Sequence, residues 1–90
     1  MPYRVRVTET ARREIGKLPG HVRQRARRLV ESLATNPTPG GAKELRDLPG
    51  YYRIHLLRWR VIDSVDAESD IMLVLTVREK QGPETYVDIG

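Results

Sequence analysis

Gly50-Tyr51-Tyr52-Arg53-Ile54-His55-Leu56-Leu57-Arg58-Trp59-Arg60 is the stretch from which the rest of the chain can be read. As a strand it alternates: Tyr52, Ile54 and Leu56 point to one side, and Tyr51, Arg53 and His55 to the other. The first side suits a core. The second carries an aromatic ring, a guanidinium that binds phosphate and an imidazole that titrates near neutral pH. A strand that only had to be wetted could use Thr, Lys or Glu there. Trp59, Arg60, Val61 and Ile62 read as the returning strand, which brings Arg60 close to Arg53 and His55. The two strands are expected at 51–57 and 58–65. Leu57-Arg58 stands where a two-residue hairpin turn prefers Asn-Gly or Gly-Asp, so a wider turn or an irregular corner is expected there.

Further along, Val65 to Asp70 is a polar turn. Ile71 to Val77 is apolar on both faces and is expected to be a central, buried strand. Gly82-Pro83 interrupts, and Glu84 to Ile89 forms a short last segment. Towards the N-terminus, Tyr3, Val5 and Val7 alternate with Arg4 and Arg6 as a half-buried first strand. Thr8 or Thr10 can cap a helix beginning at Glu9 or Ala11, with Ala11, Ile15 and Leu18 at helical spacing. Pro19-Gly20 breaks it. Val22, Ala26, Leu29, Val30 and Leu33 make the apolar stripe of a second helix, ended by Asn36-Pro37 and Pro39-Gly40-Gly41. The order β-α-α-β-β-β predicts an α+β fold: a small antiparallel or mixed sheet with an N-terminal helical hairpin on one face. The first strand is expected beside the strand at 71–77.

Ninety residues form one domain, 1–90. A chain of this length hides roughly 60–70% of its unfolded surface, and a hydrophobic content of 39% suits one sheet packed on helices. The absence of cysteine excludes disulfides and thiolate metal sites. No apolar run approaches the roughly 20 residues of a membrane span, and Arg4 and Arg6 break any signal-peptide pattern. A cytoplasmic, membrane-free protein is expected. The formal charge of +4 and a pI near 9.9 favour polyanionic partners such as nucleic acid, ribosome or an acidic protein.

The motifs of phosphate-cradling loops and dinucleotide folds are absent, as is any defensible Ser-His-Asp set. His21 and His55 lie on different elements, and the carboxylates are scattered, which argues against a metal-assisted hydrolase. What remains is a set of cations and a hydroxyl: Arg53, His55, Arg60, Lys80 and Tyr86. Cleaving RNA without a metal needs a base for the 2′-hydroxyl proton, cations for the phosphorane and an acid for the leaving 5′-oxygen. Crowded positive charges lower the pKa of a nearby His or Tyr, so a base becomes available at neutral pH.

The chain resembles the RelE family of bacterial toxins, within the RelE/ParE superfamily, over nearly its whole length. The resemblance lies in Tyr3-Arg4-Val5, in Ala11 through Leu18-Pro19, in Leu33-Ala34-Thr35-Asn36-Pro37, in Leu45-Arg46-Asp47-Leu48-Pro49-Gly50-Tyr51-Tyr52-Arg53-Ile54, in Trp59-Arg60-Val61-Ile62 and in Val77 to Tyr86. It implies a toxin of a type II toxin–antitoxin system: a ribosome-dependent mRNA endonuclease that needs no metal or cofactor and is neutralised by a cognate antitoxin. The toxin–antitoxin complex would bind operator DNA. By position, Arg53 and His55 match the two basic strand residues of that family, although His55 stands where Lys or Arg is usual. Arg60 matches the Arg that follows an aromatic, Lys80 a late Arg and Tyr86 the near-terminal Tyr; Arg78 would take the place of Lys80 if the register slipped by two. Asp63 stands where an aromatic is common.

The resemblance gives Tyr86 or His55 as base, Arg53 and Arg60 as phosphate ligands and Lys80 as an aid to the leaving group. Arg60 has a second reading, as a partner for a carboxylate such as Asp63. Arg23, Arg27 and Arg28, with Arg78, are candidate contacts to ribosomal RNA phosphates; a solvated outer helical face is the alternative for the helical three. Two other functions belong to the same superfamily: a ParE-like inhibitor of DNA gyrase, and a catalytically degenerate member that only binds an antitoxin and operator DNA.

Overall fold

The computed structural model describes residues 2–80. In chain order the elements are β1 (Arg4–Val7), α1 (Glu9–Gly16), α2 (Gly20–Leu33), β2 (Lys43–Leu45), β3 (Leu48–Leu56), β4 (Trp59–Asp66) and β5 (Ile71–Glu79). The strands form one five-stranded sheet in the order β1-β5-β4-β3-β2. β1 runs parallel to β5, and every other pair is antiparallel. This is the expected α+β fold with a mixed sheet, and the first strand does lie beside the strand at 71–77. The sequence reading lacked β2, whose three residues are too few to show a period. The segment Glu84 to Ile89 lies outside the described residues.

Helix α1 starts where β1 ends because Thr8 does two things at once. Its Oγ1 accepts from Ala11 N at 3.0 Å, the N-cap bond, and donates to the Leu75 carbonyl at 2.8 Å. Pro19, with no N–H to leave unpaired, opens α2. Both helices bury one stripe: Ala11 and Ile15 from α1, Val22, Ala26 and Leu33 from α2. These meet Ile54, Leu56, Val61, Met72, Val74 and Val77 from one face of the sheet in a single core. Trp59 packs against that core rather than standing clear as a platform.

The hairpin between β3 and β4 is tight, with Leu56 paired to Trp59 across Leu57-Arg58. The turn is neither wide nor broken at a corner. Leu57 instead adopts a φ of 58°, and Arg58 is not among the positive-φ residues, which is the sign pattern of a type II′ turn. Glycine is the residue such a position usually takes. Gly50, at φ 88°, is the glycine that this stretch does require: a Cβ there would come within 3.4 Å of the Val65 carbonyl oxygen.

The strand at 71–77 is interior but not buried on both faces. Met72, Val74 and Val77 are in the core, while Ile71, Leu73 and Leu75 are half-buried. Among the described residues no helix covers them, because α1 and α2 both pack on the other side. The middle position of the sheet belongs to β4.

Candidate active site

The register of three strands builds a basic row on the face away from the helices. His55 on β3 pairs with Arg60 on β4, and Arg60 pairs in turn with Arg78 on β5. The neighbouring row holds Lys43 on β2, Arg53 on β3 and then Ile62 on β4. Alternation within β3, β4 and β5 sends Arg53, His55, Arg60 and Arg78 to this one face, since Ile54, Leu56, Val61 and Val77 occupy the core face, and pairing with Arg53 brings Lys43 to it. Lys80 follows β5 in the same parity as Arg78, and its N–H donates to the Arg58 carbonyl at 2.7 Å, so it stays tied to the β3–β4 hairpin. Like charges on adjacent strands repel. Five cations gathered around one imidazole therefore favour an anion placed over them.

The ring of His55 registers this crowding. His55 is an exposed residue, but local desolvation of the ring, and then the charges of Arg53, Arg60, Lys80 and Lys43, hold its pKa below the ordinary 6.5. Its neutral form therefore predominates at neutral pH. Arg53 and Arg60 are half-buried, and their Nε atoms are shielded from solvent.

Among the described residues, two ion pairs border the cluster. Arg58 pairs with Glu79 at 3.3 Å, and Arg78 Nε stands 3.9 Å from Glu14 Oε2. The expected alternative pairing of Arg60 with Asp63 does not occur. Three positions along one strand put the two side chains on opposite faces, and Asp63 is turned into the core with no exposed surface. Arg53 and Arg60 are also not directly opposed: Arg53 faces Ile62, and the residue across from Arg60 is His55.

Of the residues singled out in the sequence, Arg53, His55, Arg60 and Lys80 come together, and Arg78 joins them directly opposite Arg60. Tyr86 lies outside the described residues. Arg23, Arg27 and Arg28 sit on α2, in the layer on the other side of the sheet. Arg27 and Arg28 are exposed, and Arg23 is half-buried and donates to the Gly16 carbonyl at 3.3 Å. Lys43 is the member that sequence reasoning missed. The only trace of β2 before the fold is known is the alternation of Lys43 and Leu45 around Glu44. Among the described residues, no three His, Asp or Glu side chains group so as to hold a metal ion.

A family described as ParE toxin of the type II toxin–antitoxin system, parDE, matches residues 5–81. Among solved structures, the chain is similar to the toxin–antitoxin complex RelBE2 of Mycobacterium tuberculosis, at 29% identity, over 89% of this chain and 100% of that one, with a TM-score of 0.76. It is similar to the isolated RelE toxin of E. coli at 25% identity, over 91% of this chain and 88% of that one, with a TM-score of 0.77. The archaeal RelE–RelB complex of Pyrococcus horikoshii shares the fold, at 23% identity and a TM-score of 0.82, over 92% of this chain and 100% of that one. No curated protein matches the chain.

Proposed function

The chain belongs to the ParE toxin family of type II toxin–antitoxin systems, in the RelE/ParE superfamily, and we propose that it is a toxin of RelE type, a metal-independent endoribonuclease that cuts mRNA on the ribosome. The observation that carries this reading is the row His55–Arg60–Arg78, flanked by Arg53, Lys43 and Lys80, on the sheet face away from the helices. A surface that served only for solubility would not gather five cations around one imidazole.

In this reading the scissile phosphate lies over Arg53 and Arg60. Their guanidinium groups neutralise the charge that grows on the phosphorane oxygens. A base takes the proton of the 2′-hydroxyl, the 2′-oxygen bonds to phosphorus, and the bond from phosphorus to the 5′-oxygen breaks. Neutral His55 fits the base, with Tyr86 as the alternative. Lys80 supports the departing 5′-oxygen, which takes up a proton. The products are a 2′,3′-cyclic phosphate and a 5′-hydroxyl. The exposed Arg27 and Arg28, with Arg23, offer α2 to ribosomal RNA phosphates without sequence preference.

An acidic or amphipathic antitoxin is the partner this face calls for, because covering it relieves repulsion and closes the site together. Toxin and antitoxin together would engage operator DNA. The solved complexes of RelE and RelB support an antitoxin partner.

The test is induction in cells, with mapping of 5′ ends on translated mRNA. The wild type is expected to cut at ribosome-bound codons. Arg60→Ala is expected to lose about a hundredfold or more in cleavage and to abolish growth arrest. Full toxicity in a folded Arg60→Ala protein would overturn the reading. The matching family is itself named for ParE, which favours gyrase inhibition as the second reading; that reading predicts intact mRNA and accumulating DNA breaks.

A further inference from the structure

The register between β4 and β5 shifts once. Ile62 pairs with Thr76, whereas Asp63 pairs with Val74, so Leu75 is an extra residue with no partner. This is a β-bulge, and it exchanges the faces of everything after it. Continued without the shift, the ladder would set Val77 opposite Arg60 and Arg78 opposite Trp59, on the core side. With the shift, Val77 is buried and Arg78 stands beside Arg60. Lys80 inherits the same parity.

A bulge in a run of apolar residues needs something to hold it, and helix α1 supplies that from two positions. Thr8 Oγ1 donates to the carbonyl of Leu75 itself at 2.8 Å. Glu14 Oε1 accepts from Thr76 Oγ1 at 2.6 Å and from Val77 N at 2.8 Å. β1 pairs with β5 only as far as Val74, so the Val77 N–H lies beyond the end of β1, and the Glu14 carboxylate takes the strand's place. The other oxygen of Glu14 faces Arg78 Nε at 3.9 Å.

We propose that Thr8 and Glu14 clamp the Leu75 bulge and so hold Arg78 and Lys80 on the basic face, which makes both of them positioning residues for the cleavage site. The catalytic half of this inference rests on the nuclease reading; the placement of the two cations does not. Glu14 is the residue to test, since Thr8 also caps α1.

Two readouts are taken on the same proteins: the titration of the His55 imidazole by NMR, and the rate of cutting of ribosome-bound mRNA. Lys80 is one of the charges that lower the His55 pKa. Glu14→Ala is expected to let it move away, so the His55 midpoint rises towards 6.5 and cutting falls about a hundredfold. Glu14→Gln keeps an oxygen acceptor and is expected to restore most of both. Deleting Leu75 is expected to reproduce the alanine effects with Glu14 in place. If Glu14→Ala does not fold, Glu14→Met preserves the packing of the side-chain stem and takes its place. A folded Glu14→Ala or Glu14→Met protein with an unchanged His55 midpoint and unchanged cutting would overturn the clamp. A shifted midpoint in a protein whose wild type cuts no mRNA would uphold the clamp and overturn the nuclease reading.

Discussion

Asp63 has no exposed surface, and neither of its carboxylate oxygens has a hydrogen-bond partner. Charged, it would sit in hydrocarbon between Tyr52 on β3 and Val74 on β5. Burial therefore pushes its pKa up from 3.8 to about 7. In the unfolded chain the group titrates at its ordinary value, so protons are bound more tightly by the folded state. Stability is then full below about pH 4 and falls as pH rises, by on the order of 4 kcal/mol once the folded group has ionised above about pH 7. Asp63→Val is expected to remove that slope and to stabilise the protein most at pH 8. Urea unfolding of both proteins at pH 5 and pH 8 checks this; a wild type equally stable at both would show that the carboxyl finds a partner. The sequence marked Asp63 as a departure from the family's usual aromatic and as a possible partner for Arg60. Its burial follows from the parity that also buries Val61, a relation visible once the hairpin register is fixed.

At the scale of elements, the β3–β4 turn holds a non-glycine residue where the backbone disfavours one. Leu57, at φ 58° and half exposed, carries strain on the order of 1 kcal/mol. Leu57→Gly is expected to raise stability by up to about that amount, less the extra freedom glycine has when unfolded. Thermal unfolding reads it, and a loss of stability would mean that the Leu57 side chain is held by contacts of its own. The hairpin was legible in the alternation from Tyr51 to Leu56 and in Trp59 to Ile62, and the helices in their stripes and the Pro19-Gly20 break. β2 was too short to announce itself. The bulge at Leu75 was invisible for another reason: from Ile71 to Leu75 every residue is apolar, so a shift of one leaves the pattern unchanged. Arg78 and Lys80 could thus be named as candidates, but their common face could not be read. Lys43 was hidden with β2.

Across the whole molecule, cations occupy both layers. Arg53, Arg60, Arg78, Lys80 and Lys43 stand around His55 on the sheet face away from the helices, while Arg27 and Arg28 stand on α2 behind it. The proposed division is chemistry in front and phosphate docking behind. Arg27→Glu with Arg28→Glu is expected to weaken ribosome binding, with a flatter dependence on salt, while leaving the His55 titration where it is. Co-sedimentation with ribosomes over a series of salt concentrations tests it. Unchanged binding would make these arginines a solvated face.

The pairing of β1 with β5 has a consequence in time. Arg4 finds its partner at Ile71, and Val7 at Val74, so β1 must wait for β5. Until Ile71 to Lys80 has emerged, the apolar stripes of both helices have only part of a sheet to close on, and the basic row lacks Arg78 and Lys80. Contacts this distant along the chain form late and slowly. In the nuclease reading, a chain so arranged completes its cutting face only after β5 has been made, and every copy still short of Arg78 and Lys80 is harmless.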